Sequence, residues 1–108
     1  TKTLIEEKNL SSKMPNEYCL KQNYPNPFNP LTVIRYGLPK TSRVKIKIFN
    51  SIGKEVDVLV NDVKNAGYHE MIWNASRNAS GVYFCTIEAI SEDGENSFKS
   101  ASKLILMK

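Results

Sequence analysis

The chain has 108 residues, of which 41% are hydrophobic and 24% charged, with a formal net charge of +4. That is the length of one domain, enough for a modest core without a disulfide or metal framework. It holds no apolar run of about 18 residues, which excludes a membrane-spanning helix. The charge is too mild to require a polyanionic partner.

Residues 1–14 are polar and mixed in charge, and read as a linker from a larger upstream protein, with a frayed helical turn over residues 3–12. Residues 1–17 lack the apolar centre of a signal peptide, so any such signal is expected further upstream. Pro15 ends the linker, and residues 15–108 form the domain.

Tyr18–Gln22 is a short first strand. It runs into Asn23-Tyr24-Pro25-Asn26-Pro27-Phe28-Asn29-Pro30, which cannot be a helix or a central strand because proline fixes φ and removes ladder donors. Each residue before a proline is pushed toward extended geometry, and asparagine side chains bond nearby backbone. This run is expected to be a stiff strap closing the fold, with Tyr24 and Phe28 pinned to the domain body, in preference to its other reading as a recognition surface.

The remaining segments alternate. Thr32–Leu38 sets Thr32, Ile34, Tyr36 and Leu38 against Val33, Arg35 and Gly37. Arg43–Phe49 turns Val44, Ile46 and Ile48 inward and Lys45 and Lys47 outward. Glu55–Val60 and Tyr68–Trp73 follow, after turns at residues 51–53 and 65–67. Gly81–Ile90 is a long strand, and Asp93-Gly94 marks a hairpin into Ser97–Met107. Seven strands and no helix predict an all-β, immunoglobulin-like antiparallel sandwich, with the Pro/Asn-rich run as its crossover loop. Tyr83-Phe-Cys85 then falls on the sixth strand in the manner of a tyrosine corner, whose hydroxyl bonds upstream backbone.

Chemistry is sparse in this inventory. His69 is the sole histidine and sits in an alternating strand, which favours a structural histidine bonded to nearby backbone over a general base or metal ligand. Cys19 and Cys85 point to opposite sides of their strands, which argues against a disulfide, and Cys85 is expected to be a small buried hydrophobe. Glu6-Glu7 and the Glu92/Asp93/Glu95 tip read as solvated. No phosphate loop or nucleophile elbow is present, so neither catalysis, a cofactor nor a metal is expected.

Lys40, Arg43, Lys45, Lys47 and Lys54 gather around one strand. Without interleaved aromatics, that stripe reads as a solvated face or a surface for an acidic partner, not for nucleic acid. Trp73 is placed in the core or at its rim, although an exposed Trp could stack on a sugar.

Taken together, the strap and its flanks resemble a known family. Leu20 to Pro30 with Thr32-Val-Ile-Arg-Tyr36 resembles the opening of the C-terminal sorting domain of type IX secretion cargo in Bacteroidetes. Leu38-Pro39, Val44 to Asn50, Gly53-Lys-Glu-Val56 and Val58-Leu-Val60 resemble its next strands. Ala66-Gly67 with His69, Met71 and Trp73, then Ser80-Gly81-Val-Tyr83-Phe84, resemble its later signatures. Lys103-Leu104-Ile105-Leu106-Met107-Lys108 resembles its terminal strand, and a sorting domain is expected to close its natural chain. Cys85, Asn50, Asn74-Ala75 and the long 91–100 excursion depart from the family's usual residues.

The resemblance implies a non-catalytic recognition domain that directs attached cargo across the outer membrane. Its partners would be the outer-membrane secretion machinery, a surface sortase-like protease that removes the domain, and the covalently attached upstream cargo. The protein would pass through the periplasm to the cell surface or the medium, without stable membrane insertion. Residues 103–108 are the expected contact, by offering edge hydrogen bonds to a partner sheet. A different reading is an immunoglobulin-like spacer or carbohydrate-binding accessory module, and a domain of the flagellar hook-capping protein is similar in its strand pattern.

Overall fold

A computed structural model describes residues 14–108. The expected helical turn and nearly all of the expected linker lie outside the described residues. Seven strands run in chain order: β1 (Cys19–Leu20), β2 (Leu31–Leu38), β3 (Ser42–Asn50), β4 (Glu55–Lys64), β5 (Gly67–Asn74), β6 (Gly81–Ser91) and β7 (Ser97–Leu106). They form two antiparallel sheets, ordered β1-β2-β5 and β4-β3-β6-β7. The all-β sandwich expected from the alternation is the architecture observed.

Two strands differ from the sequence reading by more than one residue at an end. β1 shrinks to two residues, because beyond Leu20 the chain keeps one further backbone bond to β2, from Lys21 N–H to Arg35 O at 2.9 Å, before entering the strap. β4 runs four residues past Val60, since Asn61, Asp62, Val63 and Lys64 continue the ladder with Lys45, Val44, Arg43 and Ser42.

The core lies between the sheets. Ile34, Tyr36, Leu38 and Trp73 face it from one side, and Val44, Ile46, Ile48, Cys85, Ile87, Leu104 and Leu106 from the other. These are the inward positions of the period-two pattern, so a one-residue slip in register would expose them. The edge-on packing of Trp73 against Tyr83, with centroids 5.5 Å apart, joins the two layers.

Turns follow the polar residues. Asn50 Oδ1 accepts the N–H groups of Ile52 and Lys54, and Asn74 Oδ1 accepts that of Ser76. Both asparagines thereby cap their turns, at positions where the chain departs from the pattern it resembles. Gly67 and Gly81 open β5 and β6 with φ of 136° and 151°, a backbone region that side chains rarely adopt. At the β6–β7 hairpin, Gly94 N–H bonds Ser91 O at 2.8 Å.

Candidate recognition surface

The strap is the first element of the site. Its ends are tied by backbone: Tyr24 exchanges two hydrogen bonds with Val33 of β2, and Ala75 N–H bonds Pro30 O. The Tyr24-Pro25, Asn26-Pro27 and Asn29-Pro30 bonds are cis. Asn23 is buried and its amide donates to Pro25 O and Thr32 Oγ, while the Thr32 hydroxyl donates to Pro25 O. Asn23 can be buried because its polar groups are bonded.

Phe28 is 2% exposed and packs on Trp73, with ring centroids 5.7 Å apart. Tyr24 behaves otherwise. It is 68% exposed, so its main chain and not its ring holds the strap to β2. The sequence pattern treated the two aromatics alike. The antiparallel bridge to Val33 instead puts Tyr24 on the outer side of the three-stranded sheet.

The strap also determines what the terminal strand can offer. β7 is an edge strand, yet Phe28 lies parallel to it: Phe28 N–H bonds Ile105 O at 2.9 Å, and Met107 N–H bonds Phe28 O at 3.0 Å. Asn26 Oδ1 accepts Ile105 N–H, and Lys103 O receives the amides of Gln22 and Asn26. The outward backbone groups from Lys103 O to Met107 N–H are therefore occupied within the domain. Strand addition by a partner, the mode expected for this stretch, is blocked there by the domain's own strap.

Side chains remain on display. Leu104 and Leu106 are buried, Ile105 is half-buried, and Lys103, Met107 and Lys108 are exposed. Lys108 is held in place, its N–H on Ser80 Oγ and its ammonium on Ser76 O.

The other singled-out residues have structural surroundings. Trp73 is 1% exposed and its indole N–H donates to Asp57 Oδ2 of β4 at 3.0 Å, so it has no free face for a sugar. The Tyr83 hydroxyl donates to Ala79 O at 2.6 Å, which is the tyrosine-corner bond. His69 Nε2 lies 2.8 Å from Asn65 O and its ring stacks on Tyr36, the backbone-bonded arrangement expected of it. Both cysteines are free. Cys85 is fully buried, and burial pushes its thiol up to about 12, which keeps it protonated and inert. Among the described residues, no cluster of three potential ligands could hold a metal ion.

At the β6–β7 tip, Asp93 accepts bonds from Ser91 Oγ, from Glu95 N–H and from Lys40 Nζ at 3.0 Å. These donors hold its carboxyl down to about 2, although the group is exposed.

One feature went unread in the sequence. The basic stripe does have aromatic neighbours, because β3 and β6 pair Phe49 with Phe84 on the outer face that also carries Lys45 and Lys47. Phe84 is distant in sequence, and only the register brings it beside the stripe.

The secretion-system C-terminal sorting domain family matches residues 22–106. The chain belongs to this family. It is a sorting domain of type IX secretion, and the protein that carries it is a secreted or cell-surface one. Domains of the family are generally non-catalytic. No curated protein and no solved structure was found to match the chain. No helix among the described residues is long and apolar enough to cross a membrane.

Proposed function

We propose that the outer-membrane export machinery reads this sorting domain at the end of the sandwich where the strap meets residues 103–108. The observation that supports this is the set of strap bonds to Lys103, Ile105 and Met107. They fix the backbone that carries Lys103 and Met107, and Ser80 and Ser76 hold Lys108, so recognition orders little main chain on contact. Reading is by these side chains and not by added backbone, since the edge groups are already bonded. The domain acts without catalysis of its own, and a surface sortase-like protease releases it by cutting upstream, leaving the cargo free or anchored.

The test fuses residues 15–108 behind a reporter with a signal peptide, in a host with a working type IX system and in a mutant lacking it. Export from the first host alone is expected. The triple variant Lys103→Ala/Met107→Ala/Lys108→Ala keeps the strap's bonds to the β7 backbone and is expected to leave the reporter in the periplasm. Normal export of that variant, with an unchanged unfolding midpoint, would sink this assignment of the contact.

A further inference from the structure

Apart from Lys103, the outer face of the four-stranded sheet takes no part in the contact proposed above. Its cross-strand rows follow from the register. Lys45, Glu88 and Lys99 form one row, Lys47, Thr86 and Ala101 the next, and Phe49, Phe84 and Lys103 a third. Arg43 and Ile90 lie one row beyond Lys45. Small Thr86 and Ala101 make a shallow floor between the aromatic pair and the lysines, and a groove opens there.

Charge on this face is lopsided. Arg43, Lys45, Lys47, Lys99 and Lys103 supply five cations, against two carboxylates, Glu55 and Glu88. Glu55 pairs with Lys47 and Glu88 with Lys99, each at 3.3 Å. Among the described residues, Arg43, Lys45 and Lys103 make no ion pair. Apolar surface is interleaved with them, with Phe84 38% and Ile90 52% exposed.

We infer that this face docks an acidic, extended polypeptide segment of the partner that reads the domain, a step that rests on the sorting function proposed above. The spacing favours a polypeptide. Arg43, Lys45 and Lys47 alternate along β3, so neighbouring cations stand about 6.8 Å apart, the same repeat as alternate side chains of an extended chain. A segment with carboxylates at every second residue presents all of them on one face, in step with these cations. A single-stranded nucleic acid would stack successive bases on aromatic rings, and among the described residues Phe84 is the one exposed ring on this face. Complementary charge of this kind sets partner choice and encounter rate more than bulk affinity.

The experiment titrates the isotope-labelled chain with a short peptide of alternating glutamate and valine and follows backbone amide shifts. Oligothymidylate, phosphatidylglycerol vesicles and a lysine–valine peptide serve as comparisons. Shifts confined to outward residues of β3, β6 and β7 are expected. Affinity should fall about tenfold in Arg43→Glu/Lys45→Glu and weaken as salt rises from about 0.05 to about 0.5 M. An unchanged unfolding midpoint of the variant shows that the fold is intact. Absence of shifts on this face, equal binding by the variant, or tighter binding of oligothymidylate or vesicles would overturn the inference.

The same variant in the reporter fusion separates the two claims. Export of the parent fusion with loss in the variant supports both. Equal export of both fusions overturns the docking face and leaves the sorting reading standing. Retention of the parent fusion in the competent host sinks the sorting reading, and this inference with it.

Discussion

The two outer edges of the four-stranded sheet are closed by opposite means. At β7 a distant segment lies alongside, and the strap supplies both backbone and side-chain partners from residues 22–28. At β4 the strand protects itself: the N–H groups of Val58 and Val63 bond the carboxylates of Asp57 and Asp62, the residues just before them. The strap is polar in composition yet buries Asn23 and Phe28. β4 is rich in valine, yet Val58 and Val63 stand 43% and 39% exposed. Burial here follows where the fold needs an edge covered, provided that polar groups find partners. An edge covered by a distant segment of the chain should be costly to disturb, and one guarded by its own side chains cheap.

The strongest way to break that contrast is Phe28→Ala, which empties a buried aromatic site beside Trp73. A loss of about 3–5 kcal/mol is expected in denaturant unfolding, and an unchanged midpoint would remove the strap from the core. Next is Asp57→Ala, which leaves the buried Trp73 indole N–H without its acceptor. About 1–3 kcal/mol should be lost, located at the one point where β4 bonds across to β5. Asn26→Ala and Asp62→Ala then compare the two edges directly. The first removes the acceptor of Ile105 N–H and should cost about 1–2 kcal/mol, with faster hydrogen exchange at that amide. The second should stay within about 0.5 kcal/mol, and equal losses for the pair would erase the distinction.

The smallest effect tests a site on neither edge. Asp93 has its carboxyl lowered to about 2 from an ordinary 3.8, chiefly by the Ser91 hydroxyl, then by Glu95 N–H and Lys40. Its contribution is fully present above pH 3.8 and is lost as pH falls toward 2. Stability measured across that window should fall less steeply in Asp93→Asn than in the parent. Identical slopes would show that the bonds at this tip do not favour the ionised carboxyl.

Much of the fold was legible because its signals are local. The alternation of Val44, Ile46 and Ile48 with Lys45 and Lys47 reports burial directly, and Tyr83-x-Cys85 announced a corner bond that the structure contains. Phe28 and Tyr24 show the limit. Both are aromatics in one proline-rich run, and the strand bridge that turns one outward lies in no local pattern. The terminal strand shows it again. Lys103–Lys108 reads as an open edge from its own residues, and its occupant comes from more than 70 positions earlier in the chain. The Phe49–Phe84 pair was hidden for the same reason, being a product of register between β3 and β6.

The parallel bridge between Phe28 and Leu106 has a consequence for how the domain is made. It joins the earliest part of the sandwich to its last strand, the kind of long-range contact that forms late and slowly. Until Leu106 is in place, Phe28 has neither of its backbone partners and the strap has nothing to close against. Folding therefore serves as a check on completeness, since a chain cut short before residue 103 cannot seat Phe28 or assemble the surface proposed above for recognition.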